Sequence, residues 1–220
     1  MNQRLLLSFV GCALFVSAPV LASPILVNGS LTGPISNGGV PPGWTVLLNS
    51  PDTLDQNNNV GVPAYLDFGA APIGPSPNGG TWVGLGSDTA YNESFGQTLG
   101  GFTAGATYTL SWFEGNFGVA SLGYTGANAF LVRVNGASIG SGALMSLDRN
   151  WRSDALSFVA PASALTIAFE VAGRTRSYIS IDGISLSDTP AAVPEPTTML
   201  LMGSGLAGLA LRRRRNRSTA

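Results

Sequence analysis

Phe130-Leu131-Val132-Arg133-Val134, followed by Asn135-Gly136, is the stretch that decides the fold. Side chains alternate across a strand, so Phe130, Val132 and Val134 share one apolar face and Arg133 takes the other. Asn-Gly is a hairpin-type turn pair, which predicts a second strand directly after it. Thr107-Tyr108-Thr109-Leu110-Ser111-Trp112-Phe113 alternates in the same way, with Tyr108, Leu110 and Trp112 on one side. Residues 156–159, 165–171 and 178–186 read as three further strands. Gly, Pro and Asn clusters separate these runs, and no amphipathic helical pattern of useful length appears. Short, regularly spaced strands predict an all-β fold, an antiparallel sandwich.

Composition removes much chemistry. The 220 residues contain neither histidine nor lysine. Ser-His-Asp and Cys-His catalysis, histidine-ligated zinc, Schiff-base lysines and the phosphate-loop lysine are therefore excluded. The one cysteine, Cys12, lies near the start. Between Ser23 and Asp188, eleven acids stand against five arginines, a net charge of −6. An acidic, lysine-free surface does not track a phosphate backbone, so nucleic acid is not an expected partner. Catalysis, if present, would have to use paired carboxylates as in glycoside hydrolysis.

The two ends read as addresses. Arg4 precedes an apolar stretch from Leu5 to Val16, and Val20-Leu21-Ala22 supplies the small residues a signal peptidase reads. Residues 1–22 are expected to be a signal peptide cleaved after Ala22, leaving a mature chain without cysteine. Residues 23–188 form one domain and 189–193 a linker. The tail, 194–217, runs Pro194-Glu195-Pro196, then an apolar segment over 197–211, then arginines over 212–217. The run from Met199 to Leu211 makes roughly 20 Å of helix, short of a bilayer core about 30 Å thick. Upstream threonines lengthen it, and snorkelling arginines extend its reach to a short transmembrane helix. Arg212, Arg213, Arg214 and Arg215 belong on the cytoplasmic side and act as the stop-transfer signal.

This tail resembles the PEP-CTERM sorting signal of surface proteins from Gram-negative bacteria that make exopolysaccharide. The resemblance implies an exosortase as partner and Pro194, Glu195 and Pro196 as the sorting motif. It also implies an inner-membrane-anchored precursor, released to the envelope surface or extracellular matrix. A second resemblance rests on an ordered set: Val27-Asn28-Gly29-Ser30-Leu31, Pro42-Gly43-Trp44, Gly96-Gln97-Thr98-Leu99, residues 104–111 and Ile181-Asp182-Gly183-Ile184-Ser185-Leu186. The set is similar to galactose-binding-like jelly rolls, including many carbohydrate-binding modules. Residues 75–82 resemble a segment recurring in PEP-CTERM proteins with this domain. The resemblance implies a jelly-roll β-sandwich and a structural calcium, with Asp182 as a ligand and oxygens around Asn28 contributing. Thr32 stands where that family's opening carries an acid.

Trp44, Trp112 and Tyr108 are expected in the core. The candidate ligand-binding residues sit in polar loops: Tyr91 and Asn92 beside Glu93, and Tyr124 between glycines. The acid- and amide-rich segment 52–59 reads as a solvated loop. Glu93, Glu114 and Glu170 show no pairing in the sequence, and Glu170 reads as outward-facing. The expectation is a non-enzymatic exported protein that binds or associates with exopolysaccharide. A structural or adhesive surface protein without a sugar site is the alternative, and a carboxylate-dependent glycoside hydrolase a third.

Overall fold

The computed structural model describes residues 23–56 and 68–188. The segments read from sequence as a signal peptide (1–22), a linker (189–193) and a sorting tail (194–217) lie outside the described residues. Among the described residues there are ten strands: β1 (Thr45–Leu48), β2 (Asp52–Leu54), β3 (Trp82–Ser87), β4 (Ser94–Gly100), β5 (Thr107–Gly115), β6 (Phe130–Val134), β7 (Ala137–Ser141), β8 (Arg152–Val159), β9 (Ala164–Val171) and β10 (Ser177–Asp188). They form two five-stranded sheets, ordered β1-β4-β9-β6-β7 and β2-β3-β10-β5-β8. Every pairing between named strands is antiparallel, which gives a two-sheet jelly roll.

The predicted hairpin is present. Asn135 and Gly136 turn with φ of 50° and 80°, joining β6 to β7 with Val134 opposite Ala137. On the inner face β6 contributes Phe130, Val132 and Val134, and β9 contributes Leu165, Ile167, Phe169 and Val171, all buried. They meet Tyr108, Leu110 and Trp112 of β5 and Ile179 and Ile181 of β10 in one core. Trp112 stands edge-on to Phe169 at 5.5 Å, and Trp44 packs on Phe95 at 5.0 Å. Aromatic pairs in these geometries add to the burial of their area. Arg133 goes outward and pairs with Glu170 at 2.8 Å across β6 and β9.

A second, smaller apolar cluster lies on the opposite face of the β3 and β10 sheet. Val83 and Leu85 point into the main core, so Trp82, Gly84 and Gly86 must point away from it. Trp82, Leu54, Val119 and Tyr178 form this cluster, with Phe68, Tyr124 and Trp151 against it. Gly84 leaves room for Tyr178, whose hydroxyl would lie 2.3 Å from a Cβ at that position.

The segment read as a solvated loop begins instead as a strand. Asp52, Thr53 and Leu54 form β2, pair with β3 and are all buried. Leu54 fills the second cluster, and that burial outweighs the local polarity.

Candidate functional site

A cleft of about 270 Å³ opens beside this second cluster. Its lining includes Ser50, Asp52, Asp88, Tyr91, Glu93, Tyr124 and Tyr178. Four chain segments supply these residues. Asp52 opens β2, and Tyr178 stands near the start of β10. Tyr91 and Glu93 flank Asn92 ahead of β4, an alternation that puts them on one side. Tyr124 closes an irregular segment in which Val119 and Tyr124 exchange backbone hydrogen bonds of 3.1 and 3.0 Å.

The polar groups interlock. The Tyr178 hydroxyl donates to Asp52 Oδ2 at 2.7 Å, while the Gly38 N–H donates to Asp52 Oδ1 at 2.8 Å. Glu93 Oε1 accepts from the Tyr91 hydroxyl at 2.5 Å, and Oε2 accepts from the Gly86 N–H at 2.5 Å. Ser50 Oγ lies 2.7 Å from the Tyr91 hydroxyl. Asp88 Oδ1 accepts from the Ala90 N–H at 2.8 Å, and Oδ2 faces the Tyr124 hydroxyl at 3.4 Å. The Arg176 guanidinium lies 4.8 Å from the centre of the Tyr124 ring, a cation–π contact at the rim.

Burial dominates the electrostatics. It pushes the Glu93 carboxyl up to about 8, against the lowering effect of its bonds from Tyr91 and Gly86, and nearby Asp52 adds to the rise. Asp52 is raised by burial too, partly offset by Tyr178 and Gly38. Burial and the bond to Glu93 push the Tyr91 hydroxyl up to about 12. Low dielectric disfavours the charged form of each. The cleft therefore offers closely spaced hydrogen-bonding oxygens between tyrosine rings and the apolar side chains of Val119 and Leu122.

Of the residues singled out from sequence, Tyr91 and Tyr124 meet in this cleft. Asn92 turns inward, where its amide donates to the Val171 carbonyl at 3.1 Å. Asp52, Asp88, Ser50 and Tyr178 were not among the sequence candidates. A signal for Tyr178 was present: in Tyr178-Ile179-Ser180-Ile181-Asp182 the isoleucines take the core face, leaving Tyr178, Ser180 and Asp182 on the other. Asp52 carried no comparable sign, because its burial depends on β3 lying alongside.

The calcium candidates divide. Asp182 is fully buried, and neither of its carboxylate oxygens has a hydrogen-bond partner. Burial pushes it up to about 7, against a weaker opposite pull from the nearby Ser76 hydroxyl and Gly183 N–H, neither of which reaches hydrogen-bond geometry. Asn28, by contrast, closes its own loop. Its Oδ1 accepts from the Ser30 hydroxyl and the Thr32 N–H, and its carbonyl accepts from the Leu31 N–H and Trp44 Nε1. Each oxygen has two lone pairs, so none remains for a cation. The residues present do not fit a calcium shared by Asn28 and Asp182. Among the described residues no group of three or more acidic side chains is placed to hold a metal ion.

Glu114 lies elsewhere, on the main-core side. It accepts from Trp112 Nε1 at 2.7 Å, and burial pushes it up to about 7, with Asp154 adding to the rise.

Residues 192–215 match the family described as the PEP-CTERM protein-sorting motif. No curated protein matches the chain. Among solved structures, an arabinose-bound α-L-arabinofuranosidase, MgGH51, is similar at 15% identity and a TM-score of 0.50, over 76% of this chain and 27% of that one. A family 16 carbohydrate-binding module is 13% identical with a TM-score of 0.45, over 74% of this chain and 98% of that one. The sugar-binding EclA C-terminal domain is 20% identical with a TM-score of 0.35, over 42% of this chain and 64% of that one. The chain thus spans less than two thirds of the EclA domain and about a quarter of the arabinofuranosidase. The likeness to the arabinofuranosidase, at 15% identity, concerns fold alone. This chain carries a PEP-CTERM protein-sorting motif at 192–215, following an antiparallel two-sheet jelly roll.

Proposed function

We propose that the protein is a non-catalytic carbohydrate-binding surface protein whose binding site is the cleft lined by Asp52, Asp88, Tyr91, Glu93, Tyr124 and Tyr178. The observation that carries this reading is the convergence of tyrosines and hydrogen-bonding oxygens in one concave site. Sugars are bound by such a combination: apolar ring faces for C–H surfaces, and oriented acceptors for hydroxyls. At about 270 Å³ the cleft lies at the small end of ligand sites, the size of a single sugar unit within a chain. The motif at 192–215 would hand the exported precursor to an exosortase, which delivers it to the envelope surface or the exopolysaccharide matrix. Glycan-array binding by the exported protein purified from its host tests the sugar reading. Binding that is lost on Tyr91→Ala or Tyr124→Ala supports it, and no binding to any glycan overturns it. Intact mass with and without the exosortase tests the route, since only the processed form should lack the tail.

One observation favours a second reading. Asp52 and Glu93 share the cleft, and a glutamate held near 8 keeps its proton at neutral pH, as a glycosidic general acid must. Release of new reducing ends by the protein, abolished by Glu93→Gln, would establish hydrolysis in place of binding alone.

A further inference from the structure

Among the described residues the carboxylates of the cleft have no cationic partner of their own. The contacts of Asp52 come from the Tyr178 hydroxyl and the Gly38 N–H, and those of Glu93 from Tyr91, Ser50 and the Gly86 N–H. Asp88 is met by the Ala90 N–H and the Tyr124 hydroxyl. All these donors are neutral. Among the described residues the two ion pairs lie elsewhere, Arg133 with Glu170 and Arg152 with Asp148. Arg176, the cation at the rim, lies over the Tyr124 ring.

Resting on the carbohydrate reading above, we propose that the cleft selects a sugar unit bearing a free, protonated amine. Three acids in one concavity, with no cationic partner among the described residues, give an anionic sugar no countercharge, and a neutral sugar gains nothing from their ionisation. An ammonium group is a pure donor, and a carboxylate is a pure acceptor when ionised. Hydrogen bonds between such charged partners are about twice as strong as neutral ones. Burial keeps Glu93 protonated in the free cleft and so opposes its ionisation; an entering ammonium group must displace that proton to solvent. The incoming charge takes over the stabilisation that the acid's proton supplied. The tyrosine rings and the Ser50 hydroxyl then read the sugar body. The net charge of −6 on residues 23–188 draws cationic chains toward the domain and turns uronic-acid polymers away.

The test is calorimetric titration of the full chain in detergent at pH 6, where the amine is protonated. The probes are a glucosamine tetramer, the N-acetylglucosamine tetramer of equal length, and a lysine tetrapeptide. The glucosamine tetramer is expected to bind at least about tenfold more tightly than its acetylated counterpart. That preference should shrink with added salt and fall severalfold in Asp88→Asn, a rim substitution that leaves the buried acids in place. Equal or tighter binding of the acetylated tetramer overturns the amine preference and leaves the carbohydrate reading standing. Equally tight binding of the lysine peptide overturns the proposal in favour of a cationic protein partner. If no sugar binds here or on a broad glycan array, the carbohydrate reading itself fails.

Discussion

The inner and outer faces of the sheet containing β3 and β10 are built from the same strands and do different work. On the inner face Val83, Leu85, Ile179 and Ile181 join a core contributed by both sheets, apolar along almost its whole length. On the outer face the alternate residues Trp82, Gly84, Tyr178, Ser180 and Asp182 meet a cover of irregular segments. There the side-chain atoms Trp82 Nε1, Ser180 Oγ and both Asp182 oxygens are buried without partners. Buried polar groups left unpaired cost stability, so they are rare where nothing but packing is required. The contrast teaches that one face of a strand can secure the fold while the other, one residue out of phase, lines the cleft.

The largest effect should come from breaking the inner face. Phe169 touches Phe95, Trp112 and Phe130. Phe169→Ala is expected to cost about 3–5 kcal/mol in urea unfolding, enough to compromise the whole domain. Loss of less than about 1 kcal/mol would mean that the two-sheet core is not the main source of stability.

The outer face and the sandwich edge should be visible through pH. Glu93 is raised from 4.5 to about 8, Glu114 from 4.5 to about 7 and Asp182 from 3.8 to about 7. Each acid keeps its proton in the native state where the unfolded chain has released it. The native state therefore binds more protons between about pH 4 and 8, and stability falls as pH rises through that window. The melting temperature is expected to be several degrees higher at pH 5 than at pH 8. Asp182→Asn, neutral and of similar shape, should flatten part of the slope. A slope of the opposite sign would refute the burial account of these acids. A calcium-dependent rise in melting temperature that vanishes in Asp182→Asn would show that this acid holds a metal rather than a proton.

A smaller effect separates packing from function on the outer face. In Gly84→Ala the new methyl meets the Tyr178 ring, at an expected cost of roughly 1–3 kcal/mol. The protein should still fold, because the main core is untouched, but Tyr178 would be displaced and glycan binding weakened. Unchanged binding would show that the position of Tyr178 is not part of the site. Smallest of all, Arg133→Ala removes a half-exposed pair with Glu170 and should change stability by less than about 1 kcal/mol.

The sequence disclosed strands wherever the alternation was apolar enough to see. The strands read at 107–113, 130–134, 156–159, 165–171 and 178–186 all lie within β5, β6, β8, β9 and β10. The missed strands have physical reasons. Trp82-Val83-Gly84-Leu85-Gly86-Ser87 carries glycines where Tyr178 must pass, and Gly96 and Gly100 thin the pattern of β4. Asp52-Thr53-Leu54 is too short for periodicity and owes its burial to its neighbour β3. The site was half legible for the same reason. Tyr91 and Tyr124 stood out as aromatics in polar loops, whereas Asp52, Asp88 and Tyr178 acquire meaning only when four distant segments meet.

The most direct test of the central claim, that the outer-face cleft binds carbohydrate, is a glycan titration of the exported protein beside its Tyr124→Ala variant. The account predicts saturable binding by the wild type, at least about tenfold weaker in the variant, with the two melting temperatures within a few degrees. Binding of equal strength in both, or in neither, would contradict the placement of the site in this cleft.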